Sequence, residues 1–411
     1  MLPSHSTSAA SRESKSARDL RVGFLCHDFP LLSETFVATL GADLVAAGVD
    51  LRLLALNESA AGPTEAAMHP EVIEAGLLHR AAWAGRPPEP APGSPLARRA
   101  LAPVRRLLIP PRARLFLGQA PFDVVHSQFG TVALAARQHL RLGTLRTRAH
   151  VVHLRGYDIT RFVQTRGAGV YRRLFGEADL FIANSRFFAA RAASLGCPPE
   201  KVIVIGSPVD TNRFVPPPAR EAFRDRPLRL VAVGRLVEKK GFTDAIEAVA
   251  RLRASGTEAV LEILGDGPLR GALGEQVDAL GLGGAVRLHG AATQDEVIAA
   301  LHRADIALAP SVTAASGDAD APVNTLKEAM ATGLPVVATR HGGIPELVMP
   351  DENGLLVPER DPGALAEAIA TLAAAPEGWA TLGAAGRDRV IGTYGRAHIL
   401  RRTLDAYRSV L

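Results

Sequence analysis

At 411 residues the chain is long enough for two or three domains, and 47% hydrophobic, 22% charged and 5% aromatic residues is a soluble α/β composition, not a disordered or fibrous one. No apolar run approaches the roughly 18 residues of a membrane-spanning helix, and two cysteines, Cys26 and Cys197, cannot build a disulfide framework or a Cys-rich zinc site. The net charge of +5 is uneven: 26 Lys and Arg face 17 Asp and Glu through Val215, and 21 face 25 beyond it. An Arg-rich coding bias is the bland reading; an anionic surface or acceptor near the N-terminal half is the functional one.

Residues 1–18 are Ser-rich and lack an apolar core, so they read as a loose tail and not a secretion signal, which with the cysteine usage points to a cytosolic protein. The pattern then becomes β-α-β: a strand over Leu20–Cys26, a helix over Glu34–Ala47 and a strand over Val49–Leu56. Residues 85–117 form a Pro- and Arg-rich insertion, with eight prolines between Gly85 and Pro111. Strands Asp123–Ser127, Ala149–Leu154, Ala178–Ser185 and Lys201–Gly206 follow, alternating with helical segments. Short buried strands between helices predict a parallel, doubly wound sheet.

A second run of the same kind follows the linker 212–227, with strands Leu228–Gly234, Glu258–Gly265, Ala285–Gly290, Ala304–Ser311 and Pro335–Thr339. The expected division is an N-terminal half at 19–211, a C-terminal half at 228–390, and a final helix at 391–411 that packs back on the N-terminal half. Two Rossmann-like halves place ligands at the carboxyl ends of their strands, in the cleft between them.

Four patterns in the second half can carry chemistry. VAVGRLVEKKGF ends a strand at Gly234, with Arg235 and Lys240 five apart before a helix. Two cations beside helix-terminal N–H groups make a pyrophosphate clamp, although two solvated charges in a turn would look the same. LGDGP, with Gly265, Asp266 and Gly267, is a Gly-rich turn after a strand, and Gly290 ends the next one. Asp320 and Glu328 lie eight apart around the start of a helix, where N–H groups near Thr325 and Leu326 can meet a phosphate while the acids accept from sugar hydroxyls. A turn residue and a helix-dipole partner are the bland readings of the two acids. GGIPE, at Gly342–Glu346, lets backbone approach closely after a strand. Neither a Walker loop nor G-x-G-x-x-G follows the strands that would carry it.

The ordered set GR-L-x3-KG, GDGP, acid-x7-Glu, EAMATGLPVVAT, GGIPELV and NGLLVP resembles glycosyltransferase family 4, retaining enzymes of the GT-B fold. In the N-terminal half FPLLSETF (29–36), HSQFG (126–130) and RGYDIT (155–160) resemble segments of the colanic-acid-type exopolysaccharide transferases. The resemblance implies an α/β GT-B protein of two Rossmann-like domains. Its reaction would transfer a sugar, with retention, from a nucleotide-sugar donor to a glycan or lipid-linked acceptor in making an exopolysaccharide or cell-surface polysaccharide. It further implies that Arg235 and Lys240 neutralise the leaving diphosphate, Glu328 holds the ribose, and Asp320, one methylene shorter than the family's usual Glu, contacts the transferred sugar, with Asp318 a near neighbour.

On the acceptor side the expected residues are Ser33, Glu34, Thr35, His126, Gln128, His153 and Arg155. S-E-T also fits a helix N-cap. Arg155 stands where the family's segment has His; a permanent cation cannot act as a base but can bind phosphate or an acidic sugar. His153 reads equally as a hydrogen-bonded core residue. No cofactor or metal is expected, because no His, Asp and Glu cluster has ligand spacing, and no nucleic-acid motif accompanies the basic charge. Residues 97–117 mix six Arg with apolar residues and no acid, which suits the interface of an anionic membrane; packing on the domain is the alternative. Rival readings are a GT-B sugar-nucleotide epimerase and a degenerate nucleotide-sugar-binding protein.

Overall fold

Most of the apolar runs become strands buried on both faces. The computed structural model describes residues 17–29, 35–58, 75, 81–83, 115–116, 119–221, 223, 226–320 and 323–411. The N-terminal strands are β1 (Arg21–Phe29), β2 (Asp50–Glu58), β3 (Ala81–Trp83), β4 (Phe122–Ser127), β5 (Thr147–Leu154), β6 (Leu180–Ala183) and β7 (Val202–Val204). They form one parallel sheet in the order β3-β2-β1-β4-β5-β6-β7. The C-terminal strands are β8 (Leu228–Val233), β9 (Ala259–Leu264), β10 (Val286–Gly290), β11 (Ile306–Ala309), β12 (Val336–Thr339) and β13 (Leu355–Val357). Their parallel order is β10-β9-β8-β11-β12-β13.

Val22, Phe24, Leu25 and Cys26 of β1 are all inaccessible, as a parallel strand covered by helices on both sides requires. Both sheets reverse direction beside their first strand, β1 next to β4 and β8 next to β11, so each opens a crevice at its strands' carboxyl ends. Strands β3 and β13 lie outside the expected set. Each has three residues, too few to show a period.

The helix Arg396–Ser409 crosses to the N-terminal half. Ile399, Leu404 and Tyr407 pack with Val22, Leu51 and Leu53, and Arg396 donates to Asp43 at 2.6 Å and Asp210 at 2.5 Å. Glu346 of the GGIPE segment reaches the other way, its carboxylate accepting the backbone N–H groups of Arg186 and Phe187 at 2.8 Å each. At the end of the linker, Arg226 forks onto Asp305 with two 2.7 Å bonds, and Asp305 also accepts the Arg229 N–H at 2.8 Å.

The tail through residue 16 and most of the insertion at 85–117 lie outside the described residues. Leu115 and Phe116 are described, and both are buried against Leu25, Leu54 and Phe122. The apolar end of that basic stretch therefore belongs to the domain core and is not available to a bilayer. Among the described residues no helix is long and apolar enough to cross a membrane.

Candidate active site

A cleft of ≈ 420 Å³ opens where the two crevices face each other, with Phe36, Phe129, Arg155 and Tyr157 on one wall and Arg235, Lys240, Asp320 and Glu328 on the other. A larger cavity of ≈ 850 Å³ lies within the C-terminal half against Glu262, Arg287 and Arg303, and none of the candidate site residues lines it.

The donor-side wall begins where β8 ends. Gly234 opens the loop, and a short 3-10 turn over Glu238–Lys240 closes at Gly241 in the left-handed region, φ 64°. A Cβ at Gly241 would lie 1.8 Å from the Pro310 carbonyl oxygen, so only glycine lets the loop lie against the end of β11. That seat turns both lysines inward. Lys240 Nζ is 2.7 Å from Asp320 Oδ2, and Lys239 Nζ bridges Asp318 and Asp320 at 3.1 Å each. Burial opposes ionisation of Asp320, but the ammonium groups of Lys240 and Lys239 outweigh it and hold the carboxyl well below its usual range. The Asp320 N–H donates to His341 Nε2 at 2.9 Å, and His341 Nδ1 faces Glu359 at 2.7 Å, which requires the Nδ1–H tautomer.

Arg235 stands at the exposed edge of the same loop and makes no side-chain hydrogen bond or ion pair with any described residue. Glu328 comes from the helix Asn324–Ala331, whose first N–H groups have no side-chain cap. Thr325 donates its hydroxyl to the Val233 carbonyl at 2.9 Å and so pins the helix start to the end of β8; Leu326 is buried in the core. Glu328 lines the cleft, and its carboxylate makes no hydrogen bond to any described residue. Burial lifts its carboxyl to about 7, against the lowering pull of Lys327 and Arg213. One wall thus carries an unpartnered cation, a cation paired with an acid, an unpartnered acid and an uncapped helix start. A diphosphate and a ribose match that set.

The GDGP residues act one step back. Gly265, at φ 137°, would place a Cβ 1.9 Å from the Gly234 carbonyl oxygen, and its N–H bonds the Gly290 carbonyl at 2.7 Å. Asp266 turns onto the Gly267 N–H at 2.8 Å. Gly265, Asp266, Gly267 and Gly290 lie outside the cleft lining; the loop supports the strand end that carries Arg235.

On the N-terminal wall Ser33 and Glu34 lie outside the described residues, and Thr35 opens the helix Thr35–Ala46. Arg155 lines the cleft. Its guanidinium donates to the Gln128 carbonyl at 3.1 Å, Gln128 Oε1 at 2.6 Å and Ser207 Oγ at 3.1 Å, and it lies 4.4 Å from the Phe36 ring centroid. Of the other acceptor-side candidates, His126, Gln128 and His153 are buried behind Arg155 and are not among the residues lining the cleft. His126 bonds the Tyr407 hydroxyl at 2.8 Å, and His153 Nδ1 accepts from Arg155 at 3.1 Å. Burial, then the Arg155 charge, pushes both imidazoles well below their usual range, so both are neutral at neutral pH. Lys239 and Lys327 went unnoticed in the sequence. A second lysine beside Lys240 was the only hint of the first; the second falls on the apolar stripe of its helix.

Comparison with known proteins bears out the family resemblance. The family model for glycosyl transferases group 1 matches residues 227–375, and that for Glycosyltransferase Family 4 matches residues 33–213. The putative colanic acid biosynthesis glycosyltransferase WcaL of Escherichia coli is 36% identical over 373 residues, spanning 85% of this chain and 90% of that protein. The chain belongs to glycosyltransferase family 4. A GDP-mannose-dependent phosphatidylinositol monomannoside mannosyltransferase of Mycolicibacterium smegmatis is 32% identical to this glycosyltransferase over 291 residues, spanning 67% of the chain and 74% of that enzyme. Anabaena HepE, solved in complex with UDP and glucose, superposes with a TM-score of 0.72 at 17% identity, covering 95% of this chain and all of that one, which establishes the GT-B arrangement of the fold.

Proposed function

We propose that this transferase moves a sugar, with retention of configuration, from a nucleoside-diphosphate donor to a glycan or lipid-linked acceptor during exopolysaccharide or surface-polysaccharide synthesis. One observation carries the reading: paired Lys240 shares a single cleft wall with Arg235 and Glu328, whose side chains have no partner among the described residues. Arg235 and Lys240 meet the diphosphate, where negative charge grows as the glycosidic bond breaks; stabilising it lowers the barrier. Glu328 accepts from the ribose, and Asp320 accepts from the sugar once Lys240 shifts its bond towards phosphate. The acceptor hydroxyl attacks from the face the diphosphate leaves and passes its proton to the departing phosphate oxygen. In this reading residues 19–211 bear the acceptor wall, 212–227 link the halves and 228–390 bear the donor wall.

The reaction belongs in the cytosol, a setting supported by two buried free thiols. The basic stretch from Ala97 brings the cleft to a lipid-linked acceptor at an anionic membrane. HepE was solved with UDP-glucose, and the mycobacterial relative is named for GDP-mannose. Those two sugars and an ADP-sugar form the panel for a thermal-shift screen. The donor should stabilise the protein by about 2.7 kcal/mol at a hundred times its dissociation constant. No shift with any member would overturn the assignment. Consumption of donor that is indifferent to added acceptor would favour an epimerase.

A further inference from the structure

Lys327, one residue before Glu328, is 1% exposed and does not line the cleft. Its Nζ donates to the Ser207 carbonyl at 2.8 Å and lies 4.7 Å from the centroid of the Tyr394 ring. Tyr394 sits so close to the preceding residue that a Cβ at Gly206 would come within 2.5 Å of it. Ser207 follows β7, and its hydroxyl accepts from Arg155 at 3.1 Å. A single residue therefore receives one cation from each wall, Lys327 on its carbonyl and Arg155 on its hydroxyl.

An ammonium removed from water loses hydration that one carbonyl and one ring face do not fully replace. Methionine has nearly the same length and would fill the site without that loss. Burial, helped by Arg155 and opposed by Glu328, brings the Lys327 ammonium down to about 7. The fold thus keeps an ionisable amine where an apolar side chain would be more stable, and its hydrogen bond ties the helix bearing Glu328 to the segment that steadies Arg155.

We infer that Lys327 is a positioning residue: by gripping Ser207 it sets the distance and angle between the donor wall at Glu328 and the acceptor wall at Arg155. This rests on the proposal that transfer takes place in this cleft. Misplacement of reacting groups by about 1 Å can cost a hundredfold in rate while leaving binding largely intact.

The test compares Lys327→Met, Ser207→Ala and the double variant. With the panel donor that stabilises the wild type, release of nucleoside diphosphate should fall about tenfold in kcat for each single variant, with donor KM changed less than about twofold. The double variant should be no slower than either single one, because both cut the same bridge. Lys327→Met should melt at the wild-type temperature or above. Losses that multiply, an unchanged kcat, or a kcat loss matched by a lower melting temperature would overturn the inference. Amide hydrogen exchange without donor supplies an independent readout. Residues 153–158 and 205–209 should exchange faster in Lys327→Met, and unchanged protection there refutes the bridge. Should the wild type turn over no panel donor, the reading of the cleft fails, and the exchange result alone still decides the bridge.

Discussion

Glu328 offers the sharpest test of the donor wall, because its carboxyl titrates near neutrality. Burial holds it at about 7. Only the carboxylate gives ribose hydroxyls a charged acceptor, and hydrogen bonds to a charged group contribute about 1.5–3 kcal/mol, or roughly 10- to 150-fold in affinity. A group of that pKa is roughly nine-tenths protonated one unit below it and half protonated at it, so wild-type affinity for a nucleotide-sugar should rise about three- to fivefold from pH 6 to 7 and about twofold more before levelling off by pH 8.5. The diester diphosphate of the donor does not titrate in that window and adds no slope of its own. Glu328→Gln should bind 10- to 150-fold more weakly at pH 8.5, with a flat profile. Stability changes too, and with a definite sign. A carboxyl raised from about 4.5 to about 7 binds more protons folded than unfolded between those values, so wild-type stability falls as pH rises through that window. The loss is at most about 3 kcal/mol, since Lys327, also near 7, takes up part of the same proton. Glu328→Gln should therefore melt higher than wild type at pH 8 and the same at pH 4.5. Isothermal titration and melting curves across pH measure both effects. Parallel binding profiles for the two proteins would refute the role of Glu328.

Arg235→Ala and Lys240→Ala should each reduce turnover by about a hundredfold or more. Melting should be unchanged for exposed Arg235 and lowered for Lys240, whose loss leaves Asp320 to Lys239 alone; wild-type rates in either would defeat the clamp. Asp320→Asn should weaken a nucleotide-sugar more than the bare nucleoside diphosphate, and equal losses on titrating both would reject sugar contact. Arg226→Ala leaves Asp305, 5% exposed, without its forked partner and should cost about 3–5 kcal/mol in denaturant unfolding, so a loss below about 1 kcal/mol would contradict the burial argument. Vesicles rich in anionic lipid should sediment the protein at low salt and release it at high salt, and changing Arg98, Arg99, Arg105, Arg106, Arg112 and Arg114 to Gln should abolish this; sedimentation that survives the changes removes the membrane from the proposal.

What the sequence showed, and what it hid, follows from the range of the interactions involved. The long strands announced themselves because a parallel strand buried on both faces is an unbroken apolar run, as in Val22–Cys26. Strands β3 and β13 did not, since three residues at a sheet edge carry no period. The clamp was legible as Arg235 and Lys240 at fixed spacing, yet nothing local said that Lys239 also turns inward; that depends on Gly241 lying against Pro310, 69 positions later. His126 and His153 read as cleft residues because a histidine near the end of a strand looks the same exposed or buried. Tyr407, 281 residues from His126, decides the matter by closing over it. Lys327 did leave a local signal, a charge three residues before Met330 and four before Ala331, both fully buried. A lysine on the apolar stripe of a helix must either snorkel to water or meet a partner inside. Here its partner is Ser207, which also holds Arg155, so the one charge that local amphipathicity argues against is the one that joins the two walls.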